Sequence, residues 1–118
     1  MADMNIVLVC GGRDYDNRRM IHDTLDGLVP EPSVVVTGGA PGADTIASGW
    51  ADYNGIHSVN VYPMWHTHGK KAGVLRNQLM IDLFDINLVV AFPGGDGTAD
   101  MVRRAKAANI PVIEVQDG

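Results

Sequence analysis

SVVVTGGAPGAD, residues 33–44, joins a run of β-branched residues to a glycine-rich turn and then to small residues that suit a helix. A short continuous apolar run of this kind reads as a strand buried on both faces, the habit of parallel sheets covered by helices. The turn, residues 38–42, holds Gly38, Gly39 and Gly42, and a small-residue helix follows over residues 43–53 until Asn54 and Gly55 stop it.

The same unit recurs on either side. Residues 5–10 (NIVLVC) form a first strand, residues 11–15 a loop, and residues 16–28 a helix. Asp16 is its expected cap, with Met20, Ile21, Thr24, Leu25 and Leu28 at helical spacing and Pro30 and Pro32 beyond its end. A third strand is predicted over residues 57–62, a loop over 63–69, and a helix over 70–84 running through Val74, Leu75, Leu79, Ile81 and Leu83. Residues 88–92 read as a fourth strand, 93–97 as a loop, 98–108 as a helix and 111–115 as a fifth strand. Strand–helix alternation with right-handed crossovers predicts an α/β fold. The expected architecture is one Rossmann-like domain over residues 1–118, a doubly wound, mostly parallel five-stranded sheet with helices on both faces.

Composition narrows the function. Of 118 residues, 46% are hydrophobic and 19% charged, a globular balance. The net charge of −5, from 14 acidic and 9 basic residues, speaks against a nucleic-acid binder that relies on many phosphate contacts. The single cysteine, Cys10, excludes an internal disulfide and a Cys-built zinc finger, and reads as a core thiol. No apolar run approaches the ~18 residues of a membrane span, and the start lacks the basic-then-apolar order of a secretory leader. A cytoplasmic protein without a membrane partner is expected.

In doubly wound sheets, ligands bind beyond the carboxyl ends of the strands, near the switch in strand order. Three glycine clusters fall on that edge: Gly11 and Gly12 after the first strand, Gly38, Gly39 and Gly42 after the second, and Gly94, Gly95 and Gly97 after the fourth. Glycine lets backbone amides approach a ligand closely, and a following helix start favours an anion. In TGGAPGAD, Thr37 and Asp44 flank the turn; in PGGDGT, Pro93 opens it and Thr98 is placed to cap a helix and bond a ligand oxygen. Any one cluster also makes sense as a tight turn that binds nothing. No GK[ST] follows either turn and the first loop, CGGRDY, is not G-x-G-x-x-G, so neither nucleoside triphosphate hydrolysis nor NAD-dependent hydride transfer is supported. No cofactor is expected.

Other candidates cluster around these turns. Arg13 suits a phosphate and Asp14 a ribose hydroxyl, or the two form a local ion pair. Asp44, in the first turn of its helix, suits a structural or ribose-binding role. Arg76 and Asn77 lie near the start of the helix expected over residues 70–84 and can face the same edge, or Arg76 is a solvated side chain. Trp65, in the preceding loop, is a candidate for stacking on a base or for simple packing. His66 and His68 lack a third ligand, so no metal is expected. Arg103, Arg104 and Lys106 read as a solvated helix face.

These segments resemble the SLOG superfamily of Rossmann-like proteins, in its YspA-like, YpsA-related branch. The matching stretches are CGGRDY (10–15), TGGAPGAD (37–44), the AG-x-x-RN segment (72–77) and FPGGDGTADMVRRA (92–105), which together span nearly the whole chain. The resemblance implies a nucleotide or nucleotide-derived ligand over the glycine-rich loops, such as a nucleoside monophosphate, ADP-ribose, or an NAD-derived or cyclic nucleotide signal. It also implies a homodimer or higher homo-oligomer paired through helices that flank the site. Within the superfamily, LOG enzymes cleave the N-glycosidic bond of cytokinin nucleoside monophosphates, other members sense nucleotide signals, and DprA-type relatives bind single-stranded DNA. The LOG pattern uses an arginine, here matched by Arg76, and PGGxGTxxE, whose glutamate position is Met101 in this chain. Asp100, one residue earlier, is the candidate substitute, rotated by ~100° on the helix. A compact domain of this type also suits a phage or mobile element that sequesters a host nucleotide signal.

Overall fold

The computed structural model describes residues 4–117. Its five strands are β1 (Ile6–Cys10), β2 (Val34–Thr37), β3 (His57–Asn60), β4 (Leu88–Ala91) and β5 (Val112–Glu114). They pair in the order β3-β2-β1-β4-β5, and every pairing is parallel. The helices are α1 (Arg18–Asp26), α2 (Ala43–Tyr53), the single turn α3 (Trp65–His68), α4 (Ala72–Leu83) and α5 (Asp96–Ala107), with a 3-10 turn (Gly69–Lys71) between α3 and α4.

The strand sequences explain the two-sided core. Successive side chains point to opposite faces of a strand, and the register keeps like faces together. Val7 pairs with Val35 and Val9 with Val90, and all four join the core beneath α1 and α2. Leu8 pairs with Val36 and with Val89 on the other face, against Met80 of α4 and Met101 and Ala105 of α5. The expected doubly wound Rossmann-like fold is therefore present. The chain runs outward from β1 through β2 to β3, then returns to β4 on the other side of β1, which sets the switch point between β1 and β4.

Local details differ from expectation in four places. The α1 cap is Asn17, whose side chain accepts the Met20 amide at 3.1 Å, rather than Asp16, and the helix ends at Asp26 rather than Leu28. The loop expected over residues 63–69 contains the turn α3, and the helix expected over 70–84 is α4, two residues shorter at its start. Helix α5 begins at Asp96 with Gly95 at its cap position, so Thr98 lies inside the first turn and caps nothing.

The fourth difference is a matter of face. Helix α4 buries Ala72, Asn77 and Met80, while Val74, Leu75, Leu79 and Leu83 are exposed, Leu83 at 65%. Of the five apolar positions that mark the helix in the sequence, only Ile81 packs against the core, and the other four point outward.

Candidate functional site

The glycine clusters meet at the switch point. The Gly12 amide donates to the Pro93 carbonyl at 2.8 Å, tying the β1 loop to the β4 loop. The Ala43 amide donates to the Gly12 carbonyl at 3.3 Å, tying the β1 loop to the start of α2. Gly42 adopts φ +79°, and a Cβ there would fall 2.5 Å from the Arg13 carbonyl oxygen. Only a residue without a side chain allows this approach. Gly94 is equally close, since its Cβ would lie 2.7 Å from the Gly12 nitrogen.

Not every loop amide is open to a ligand. Gly38 and Ala40 donate their amides to Asp44 Oδ2, at 3.0 and 3.3 Å, and Gly39 donates to Thr37 Oγ1 at 3.1 Å. Thr37 is fully buried and spends its own hydroxyl proton on Asn60 Oδ1 at 2.6 Å. The β2–α2 loop therefore folds around its own carboxylate. The β4–α5 loop is different. Gly94, Gly95 and Gly97 are exposed, and a Cβ at Gly95 or Gly97 would meet open space. The first-turn amides of α5 have no intrahelical acceptors by geometry. A cavity of about 240 Å³ adjoins this turn, lined in part by Pro93, Gly94, Gly95, Thr98, Val115 and Gln116.

Arg76 reaches the same edge from α4. Its Nη1 donates to the Gly38 carbonyl at 2.6 Å and to the Val61 carbonyl at 3.3 Å, and its Nε donates to Asn77 Oδ1 at 3.0 Å. Its Nη2 has no acceptor among the described residues. A Cβ on Gly38 would lie 2.6 Å from Arg76 Cζ and 3.1 Å from Asp44 Oδ2, so guanidinium and carboxylate flank one glycine. Burial pushes the Asp44 carboxyl up to about 6, and the Gly38 and Ala40 amides and the Arg76 charge offset only part of that rise. Burial and the charge of Asp44 push the Cys10 thiol up to about 12, against the lowering pull of Arg76, which agrees with a protonated thiol.

Asn77 and Asp100 turn inward. Asn77 Nδ2 donates to the Gly97 carbonyl at 3.2 Å and to Asp100 Oδ2 at 2.9 Å. Arg104 Nε donates to Asp100 Oδ2 at 2.8 Å, and Arg103 lies 3.5 Å from the other carboxylate oxygen. Arg104 also reaches Gln78 at 2.8 Å, so it is part of this buried network and not the solvated face expected of it. Met101 is buried in the core between α5 and the sheet.

The remaining candidates scatter. Arg13 and Asp14 are exposed in the β1 loop. Trp65 is about half exposed and lies near the first turn of α4, with its Cη2 3.8 Å from a Cβ placed on Gly73. His66 and His68 are exposed, and among the described residues no cluster of metal-ligating side chains forms. Sequence reading passed over two aromatic residues near these loops. Tyr15, whose ring stacks on Phe92 at 5.8 Å, donates its hydroxyl to Asp117 at 2.5 Å and so fastens the C-terminal segment near the β1 loop. Tyr62 lies against Gly39.

A parallel sheet with three glycine turns interlocked at its switch point defines a Rossmann-like α/β protein whose ligand edge is built from backbone. The chain belongs to the YspA, cpYpsA-related SLOG family (YAcAr), whose family model matches residues 5–68. That span holds the β1 and β2 loops but not Arg76 or the β4–α5 turn. Similarity continues through those parts in the Gene 61 protein of Mycobacterium phage D29, which is 43% identical over 124 aligned residues, 97% of this chain and 98% of that protein. Membership of the SLOG family suggests a nucleotide-related ligand-binding role. Among the described residues, no helix is long and apolar enough to cross a membrane.

Proposed function

We propose that this protein binds a nucleotide or nucleotide-derived ligand at the switch point and releases it unchanged, acting as a sensor or a sequestering module. The observation that carries this reading is the interlocking of the β1, β2 and β4 loops around the exposed first turn of α5. A phosphate group fits that turn, because its amides lack intrahelical acceptors and the helix dipole favours an anion. Arg76 supplies a further donor through Nη2, and Arg13 an exposed cation in the β1 loop. The phage source of a full-length relative supports sequestration of a host nucleotide signal.

Binding without chemistry is favoured over hydrolysis by the environment of α5. Met101 occupies the LOG glutamate position inside the core, and Asp100 is engaged by Asn77 and Arg104. Asp44, the other carboxyl near Arg76, is buried and accepts two amides of its own loop, so it too is held away from a ligand. The exposed stripe Leu75, Leu79 and Leu83 on α4 supports the homodimer implied by resemblance.

Thermal shift against nucleoside monophosphates, ADP-ribose, NAD and cyclic nucleotides tests the reading, with mass spectrometry of each mixture. A ligand at a hundred times its Kd adds ~2.7 kcal/mol of stability. A shift with intact ligand is expected. Free base in the mixture would move the assignment to hydrolysis, and no shift with any nucleotide would overturn it.

A further inference from the structure

We infer that Tyr62 is the platform on which the planar base of the bound nucleotide stacks, an inference that rests on the nucleotide-binding reading above. The Val61 amide donates to the Thr37 carbonyl at 2.9 Å, which carries the β2–β3 ladder one step past Asn60 and delivers Tyr62 to the carboxyl edge. There its ring lies against the backbone of Gly39, where φ is +71° and an added Cβ would fall 2.5 Å from the ring Cδ1. The bare glycine is what lets the ring settle on the loop.

Loop contact holds the ring on one side, and Tyr62 is nonetheless 64% exposed. An aromatic ring braced by backbone and open to water presents a stacking surface without further ordering of its own. Its place on the β2–α2 loop is fixed by Arg76, whose Nη1 donates to the carbonyls of Gly38 and Val61, the residues immediately before Gly39 and Tyr62. One guanidinium thus clamps both backbones that make the platform. Trp65 is placed differently, near Gly73 on α4.

Stacking reads the plane of a base and not its hydrogen-bonding edge, so Tyr62 confers preference for a nucleotide over a bare sugar phosphate. The test is calorimetric titration of AMP, ADP-ribose and ribose 5-phosphate into the wild-type chain and Tyr62→Phe, Tyr62→Ala and Trp65→Ala. Tyr62→Ala is expected to weaken AMP and ADP-ribose by about tenfold or more while leaving ribose 5-phosphate within about twofold. Tyr62→Phe, which keeps the ring, should bind all three as the wild type does. Equal loss for nucleotide and sugar phosphate would show that Tyr62 merely shapes the loop and would overturn the inference. So would nucleotide affinity unchanged in Tyr62→Ala, or a nucleotide-selective loss found only in Trp65→Ala. If the wild type binds none of the nucleotides, the underlying reading fails, a result distinct from these.

Discussion

Asn77 Nδ2 donates to Asp100 Oδ2 at 2.9 Å, and both residues are buried where α4 meets α5. Because Asn77 also accepts from Arg76 Nε and donates to the Gly97 carbonyl, this one carboxamide connects the guanidinium of the site to the turn that opens α5. Asp100 thereby serves as an anchor that joins the two helices through Asn77 and Arg104.

Replacing that anchor should cost stability and spare binding. Burial raises the Asp100 carboxyl, but the hydrogen bonds from Arg104 and Asn77 and the charges of Arg104 and Arg103 outweigh it and hold the group below its usual value. A depressed native value contributes stability above the unfolded value that is lost as pH falls through the native one. Asp100→Asn should therefore lower stability by about 1–3 kcal/mol at neutral pH, with the gap to the wild type closing in acid. Denaturant melts at several pH values check this, and loss of nucleotide binding in a folded Asp100→Asn would contradict the anchoring role.

Asp44 should show the opposite pH dependence. Its native carboxyl is raised from 3.8 to about 6, so the folded chain holds the proton more tightly than the unfolded one. That contribution is full below the unfolded value and lost as pH rises through the native value. Relative to Asp44→Asn, the wild type should lose ~3 kcal/mol between about pH 3 and pH 7. Parallel melting curves across that range, flat in their difference, would refute the shift.

Gly42→Ala tests the interlocking of the loops. With φ +79° and ψ −129°, alanine is strained by about 1–3 kcal/mol, and its methyl also meets the Arg13 carbonyl. The variant should melt earlier and give a smaller nucleotide-induced shift. Gly55→Ala is the control, because Gly55 also has positive φ but nothing lies within 4 Å of its Cβ position.

Leu79→Glu tests pairing through α4. Light scattering should report a dimer for the wild type and a monomer for the variant, with unchanged circular dichroism because Leu79 is exposed within each chain. A wild-type monomer at high concentration would remove the pairing.

The sheet was legible because buried parallel strands leave an unmistakable trace: IVLVC, VVVT and LVVA are continuous apolar runs, each followed by glycines. The meeting of the glycine clusters followed from topology alone. The outward face of α4 did not, because an apolar stripe looks the same whether it meets a sheet or another surface, and the inward face is marked only by Ala72, Asn77 and Met80. Thr98 as a cap failed for a related reason, since glycine at the cap position needs no side-chain signature. The inward turn of Asp100 had a trace in its spacing from Arg103 and Arg104, which suits ion pairs along a helix. Tyr62 had none: its position depends on Gly39, far away in sequence.

The carboxylate of Asp44, seated among the amides of its own loop, has a consequence for how quickly a ligand is taken up. The loop is already wrapped around a negative charge before anything arrives, so its conformational entropy is spent during folding and not during capture. On the proposed binding role, association needs no ordering step in this loop, and the encounter rate is left to diffusion and to the exposed Arg13. Such a protein is suited to catching a scarce small molecule on first contact.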